Sequence, residues 1–167
     1  MRILIISLPR TGSNSLMKKY SSKYKLDMYG EPFNESHLLP SDWITSDNVI
    51  VTTKLTQCPE NVKNSVKYWY EQSKSFDKVI LLSRKDLYDC AKSFSFLLDK
   101  RNEGYKYNAS YVWEETPSLN NTYKNLQSEH KKLELISEKL NISVIYYEDI
   151  FDINSKDRLR KNNKEIL

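Results

Sequence analysis

Apolar residues in this chain fall into two kinds of run. Ile3 to Ile6 follow one another without a polar break, as do Val49 to Val51 and Val79 to Leu82. Continuous runs of this length read as strands covered on both faces, the signature of a parallel sheet between helical layers. They predict strands over 2–7, 48–55 and 78–83, and the segment ISVIYY predicts a last one over 142–147. Leu26 to Tyr29 suits a short strand. Elsewhere the apolar residues recur at helical spacing. Leu16, Met17, Tyr20 and Tyr24 predict a helix beginning at Ser13 or Ser15. Val62, Val66, Trp69 and Tyr70 predict one over 59–75, with Pro59 in its first turn, and another follows over 87–100. Tyr123, Leu126, Leu133, Ile136 and Leu140 form a narrow stripe on a long polar helix over 119–140. Strands alternating with helices give an α/β fold: a three-layer parallel sheet flanked by helices, with right-handed crossovers.

Composition narrows the classes. A chain of 167 residues with 12 tyrosines is a single folded domain, 1–167, large enough to bury a core. The formal charge of +4 suits an anionic ligand, yet the cations are spread along the chain and do not call for nucleic acid. Cys58 is expected just before a helix and Cys90 within one; without metal-ligand spacing or an export signal, both are expected reduced. The apolar run after Arg2 is too short for a signal core or a membrane span, which implies a cytoplasmic protein. Asn-x-Ser/Thr triplets at Asn34, Asn108, Asn120 and Asn141 are expected by chance in a chain this rich in Asn and Ser. The tail 154–167 is basic and expected to be disordered.

The chemistry concentrates where the first strand ends. The sequence RILIISLPRTGSNSL passes from strand through a Pro, Gly and hydroxyl-rich turn into a helix. Backbone N–H groups and the positive end of a helix dipole then face one place, which makes an anion site. A nucleotide-hydrolysing loop would need Gly-Lys-Ser/Thr, but Ser13 and Asn14 follow Gly12, and the cation, Arg10, comes earlier. This order resembles the phosphosulfate loop of the sulfotransferase superfamily, Pro-Lys/Arg-Ser/Thr-Gly-Ser/Thr. The resemblance implies a P-loop NTPase-like (sulfotransferase) fold. It also implies that Arg10, Thr11, Gly12, Ser13, Asn14 and Ser15 hold the 5′ end of 3′-phosphoadenosine 5′-phosphosulfate (PAPS), with no metal.

Three further pieces carry the same resemblance. Gly30-Glu31-Pro32-Phe33 is similar to a turn in bacterial sulfotransferases of the trehalose-sulfating type, in which the Glu is a candidate general base. An acceptor hydroxyl must lose its proton as it attacks sulfur, and a positioned carboxylate supplies that function. Glu31 is therefore the first candidate, His37 is a rival, and His130 is expected to be solvated on a polar helix. Capping a turn or pairing with a lysine is the ordinary alternative for Glu31. Lys54 closes the strand over 48–55, as the Lys of a Lys-Thr-His segment does in cytosolic sulfotransferases, but Thr56 stands where that His would be. The base role thus moves to Glu31, and Lys54 is left to offset charge on the bridging oxygen.

Arg84 ends the strand over 78–83, and Ser93 follows nine residues later, as in the pair that binds the donor's 3′-phosphate in the family. A guanidinium fork with a hydroxyl suits a phosphate dianion. Ser95 is nearby but faces the other way on a helix, and an ion pair with Asp86 or Glu148 is the competing role for Arg84. Tyr147-Glu148-Asp149 after the last strand also resembles the superfamily, where this triplet is mainly structural. The irregular stretch 101–118, with Tyr105, Tyr107, Tyr111 and Trp113, reads equally as a lid over an acceptor pocket or as packing. Arg158 and Arg160 stand where the family closes a basic loop on the 3′-phosphate, but no glycine accompanies them.

Together these pieces imply a PAPS-dependent sulfotransferase, similar to compact bacterial or phage-type carbohydrate sulfotransferases, acting on a carbohydrate or small-molecule hydroxyl. Two alternatives stand beside it: a non-catalytic nucleotide-binding module of the same fold, and a small nucleotide or nucleoside kinase. The acceptor's identity and the oligomeric state are not legible in the sequence.

Overall fold

The computed structural model describes residues 1–33, 44–59, 62–101 and 116–151. Along them run β1 (Arg2–Ser7), α1 (Ser13–Tyr24), β2 (Asp27–Gly30), β3 (Val49–Lys54) and α2 (Ser65–Ser73). These are followed by β4 (Lys78–Ser83), α3 (Leu87–Arg101), α4 (Leu119–Leu140), β5 (Val144–Tyr146) and α5 (Tyr147–Ile150). The strands form one parallel sheet in the order β2-β3-β1-β4-β5. The α/β class and the parallel sheet flanked by helices are as the apolar runs predict.

β1 lies at the centre, and its alternating side chains separate two cores. Ile3 and Ile5 join Leu16, Met17 and Tyr20 of α1, with Ile150 and Phe151 beside them. Leu4 and Ile6 point the opposite way, into a layer built by Trp69 of α2, Cys90 and Ala91 of α3, and Leu126, Leu133 and Ile136 of α4. Period-two alternation thus operates inside an uninterrupted apolar run because both faces of the strand are covered.

In register, Ser7 lies opposite Lys54 on one side and Leu82 on the other. Three strands therefore end at one level. From β1 the chain leaves towards the β2 and β3 side of the sheet, whereas from β4 it proceeds to β5 on the other side. The crevice between the carboxyl ends of β1 and β4 is thus the topological switch point, where open α/β sheets bind ligands.

Three sequence expectations need correction. The α2 helix begins at Ser65, not at Pro59; Asn64 supplies the N-cap, its side chain accepting from the Lys67 N–H. An Asn cap satisfies an orphan donor that a start at Pro59 would have left to other partners. β5 is limited to Val144–Tyr146, and Tyr147 already belongs to α5, because an edge strand paired on one side can turn as soon as its partner ends at Ser83. His130 is not solvated: α4 lays it across the end of β4, with Nδ1 2.9 Å from Ser83 Oγ and Nε2 3.5 Å from Glu134.

His37, Tyr105, Tyr107, Tyr111, Trp113, Arg158 and Arg160 lie outside the described residues, as do Asn34, Asn108 and the tail 154–167. Among the described residues, no helix is long and apolar enough to cross a membrane. Cys58 and Cys90 are both free thiols.

Candidate functional site

The loop after β1 is built mainly from its own backbone. Leu8 N–H donates to Leu82 O, extending the contact with β4, and Thr11 Oγ1 turns inward to donate to Leu8 O at 2.8 Å. Arg10 (φ 61°) and Gly12 (φ 73°) both adopt the left-handed conformation, so the chain curls sharply before α1. For Arg10 this costs about 1–2 kcal/mol relative to ordinary backbone, strain of the kind that is concentrated at functional sites. Gly12 stands at the N-cap of α1, and no side chain caps the helix. The leading N–H groups of an α-helix have no partner within it, so the N-terminus of α1 offers donors at the mouth of the crevice.

Gly12 is required for a second reason. A Cβ there would lie 2.5 Å from Cε2 and 2.7 Å from Cδ2 of Tyr147. That ring packs on Phe151 at 4.7 Å between centroids, and the Arg84 guanidinium lies 5.1 Å from its centre. The Tyr-Glu-Asp triplet therefore braces the loop from the α1 side. From the opposite layer Cys90 Sγ donates to Pro9 O at 2.9 Å. Burial, opposed by the nearby Arg84 and Arg10 charges, pushes this thiol up to about 12.

Lys54, Glu31 and Ser13 come together at the end of β3. Lys54 Nζ donates to Ser13 Oγ at 2.6 Å and to Ser7 Oγ at 3.3 Å, and lies 3.6 Å from Glu31 Oε1. Burial lowers the Lys54 pKa, and the Arg10 charge acts in the same direction against the opposing Glu31 carboxylate. Glu31 is itself left-handed (φ 57°), with its N–H donating to Thr52 O at 2.7 Å. Its turn is anchored by Phe33, which meets Trp69 edge-on at 5.1 Å. Trp69 Nε1 in turn donates to Leu55 O at 2.9 Å, so one buried indole holds both the Glu31 turn and the end of β3. This pairing places the two sequence candidates, a carboxylate and a lysine, side by side at the positive end of α1.

Arg84 and Ser93 are not paired with each other. Arg84 Nε donates to Glu148 Oε1 at 3.1 Å, and its Nη2 lies 3.0 Å from Asp89 Oδ2. Burial opposes the charge, but Glu148, Asp89 and Cys90 outweigh it and hold the Arg84 pKa above its ordinary value. Ser93 Oγ instead accepts from Arg10 Nε at 3.1 Å. Ser93 lies one helical turn after Cys90, so the same face of α3 meets the loop twice. Ser95 is engaged within α3, its hydroxyl donating to Lys92 O.

Of the loop hydroxyls, Ser13 is committed to Lys54 and Thr11 to Leu8 O. Thr11 therefore shapes the loop with its side chain, and what it can offer an anion is its backbone N–H. Asn14 is exposed and Ser15 half-buried on the first turn of α1. Gln57 belongs to no motif in the sequence, although a Gln three residues after Lys54 in a Pro-adjacent turn is within reach of that lysine's own backbone.

No family model matches the chain, and no curated protein matches it. Among solved structures it is similar to the YorR protein of Bacillus subtilis, described in complex with phosphorylated GDP. Identity is 11%, with 87% of this chain and 84% of that chain covered and a TM-score of 0.46. It is also similar to a de novo designed protein of P-loop NTPase fold, at 18% identity, with 84% of this chain and 96% of that chain covered and a TM-score of 0.26. At these scores neither likeness carries weight for what this chain binds.

Proposed function

We propose that this chain transfers the sulfuryl group of PAPS to a hydroxyl acceptor, a carbohydrate or another small molecule. The observation that carries the reading is the Glu31–Lys54–Ser13 group at the N-terminus of α1. There a carboxylate able to take a proton stands 3.6 Å from a partly buried cation that is itself bonded to the loop after β1. In the reaction, the acceptor oxygen forms a bond to sulfur while its proton passes to Glu31. The bond between sulfur and the bridging oxygen breaks, and its electron pair leaves with the 5′-phosphate of adenosine 3′,5′-bisphosphate. Lys54, Arg10 and the N–H groups of α1 offset the charge that develops on the leaving oxygen. A fixed donor in such a position is worth roughly 10²–10³-fold in rate.

The residues suit a donor of this kind. Arg10 reaches from the loop to Ser93 and so links the 5′ subsite to the helix that the resemblance assigns to the 3′-phosphate. Arg84 is held by two carboxylates, Nε on Glu148 and Nη2 on Asp89. Asp89 and Glu148 compete with a phosphate for the guanidinium, so a 3′-phosphate must displace at least one of them; a second reading, a nucleotide-binding module without transfer, uses the same loop.

Calorimetric titration with adenosine 3′,5′-bisphosphate, on the wild type and on Arg10→Ala and Arg84→Ala, tests the donor class. Binding that both substitutions weaken, followed by acceptor-dependent turnover of labelled PAPS, is the expected result. Binding without turnover selects the second reading. No binding by folded wild type overturns both, and binding of ATP with Mg²⁺ would then be measured for the kinase alternative.

A further inference from the structure

We propose that Gln57 is the positioning residue for Glu31, holding one carboxylate oxygen so that the other faces the acceptor proton. The argument begins in the turn after β3, where Gln57 N–H donates to Lys54 O at 2.9 Å and brings the Gln57 side chain back over its own turn. There Gln57 Oε1 accepts from the Lys54 backbone N–H at 2.8 Å and from Thr53 Oγ1 at 3.1 Å. A backbone N–H can only donate, so the amide end beside it must be the oxygen, and its orientation is decided by chemistry. The NH2 end then faces Glu31 and donates to Oε2 at 2.7 Å.

The two oxygens of Glu31 are thereby made unlike. Oε2 is held by a neutral donor whose other end is fixed to backbone, while Oε1 lies on the Lys54 side at 3.6 Å. The backbone beneath is equally constrained, with left-handed φ and an N–H donated to Thr52 O. A carboxylate with its backbone, its turn and one oxygen fixed cannot rotate away from Lys54. The cation alone would not achieve this, because an ammonium group is a point charge without directional preference for one oxygen. Proton abstraction depends on such placement, and misplacing a reacting group by 1 Å can cost roughly 10²-fold.

The catalytic part of this proposal rests on the sulfotransferase reading; the positioning part does not, so two measurements are paired. In the first, the side-chain amide resonances of Gln57 are identified by their loss in Gln57→Met and then followed in Glu31→Leu. An upfield move is expected when the charged acceptor is removed; resonances that stay in place overturn the proposal whether or not the protein is an enzyme. In the second, Gln57→Met and Gln57→Asn, the latter too short to span both partners, lower kcat ~10–100-fold. Acceptor KM and bisphosphate affinity stay within about twofold, as expected for a group acting on the chemical step. Gln57→Met combined with Glu31→Ala should be no slower than Glu31→Ala alone, because Gln57 acts only through Glu31. Additive losses, or a loss confined to KM or thermal stability, overturn the positioning role. Absence of turnover in the wild type would sink the sulfotransferase reading and leave the resonance measurement to decide the contact.

Discussion

Replacing Gly12 with Ala tests the loop at its tightest point. The new methyl group would meet Tyr147 at 2.5 and 2.7 Å, where carbon atoms normally rest about 3.5–4.0 Å apart. Tyr147 has little room to retreat, being packed on Phe151 and beside Arg84. Two costs combine: about 1–2 kcal/mol for an L-residue at φ 73° and about 1–3 kcal/mol for overpacking a filled space. Their sum, about 2–5 kcal/mol, corresponds to a fall in Tm of about 4–20 °C for a chain of this size. Urea and thermal unfolding of the wild type and Gly12→Ala measure the total. Repeating the substitution in a Tyr147→Leu background separates the parts, because the shortened side chain removes the overlap and leaves only the backbone term of about 1–2 kcal/mol. Equal costs in both backgrounds would refute the clash, and a total below about 0.5 kcal/mol would refute the left-handed requirement as well.

Lys54→Met should reduce turnover by roughly 10²–10³-fold, read as kcat with acceptor and donor saturating. Its stability relative to wild type carries a sign: burial lowers the folded Lys54 pKa below its ordinary 10.5, so the unfolded chain binds more protons just below that value. Wild type should therefore gain on Lys54→Met as pH rises towards 10.5, and a flat or falling difference in urea midpoints would contradict the burial argument. At pH 8 a thiol reagent should modify half-buried Cys58 in the native protein and reach Cys90 only after unfolding, since Cys90 is enclosed and its thiol is pushed up to about 12; equal rates would refute this. Asn64→Ala should cost about 1 kcal/mol in chemical unfolding, as loss of a helix cap does, whereas no change would mean that α2 does not begin where Asn64 accepts from Lys67.

Much of the architecture is legible in the linear pattern. Three uninterrupted apolar runs and the segment ISVIYY mark four of the five strands among the described residues, and the helical stripe over 119–140 coincides with α4. The boundaries that moved are those decided by a single side chain or by a neighbouring strand. Asn64 caps α2 through one hydrogen bond and so moves its start from Pro59 to Ser65, and β5 stops where β4 does. The polar helix around His130 predicts a solvated side chain, but α4 lays it over Ser83. The Glu31–Lys54 proximity follows from β2 pairing with β3, which neither segment states on its own.

The local elements, the small-residue loop between β1 and α1 and the residue types around it were all readable in contiguous sequence. Covered strands, helical stripes and small-residue turns are properties of contiguous residues, and their physical causes act over a few positions. The partners that lie far apart in the chain came from the packing of the strands. Arg10 reaches Ser93 across 83 positions and Arg84 reaches Glu148 across 64, both because β1, β4 and β5 are neighbours in the sheet. Gln57 is close in sequence to Lys54 but far from Glu31, and its role came into view only when strand pairing brought the two ends together. Strand order and register set these distances, and neither is a property of any contiguous stretch of the chain.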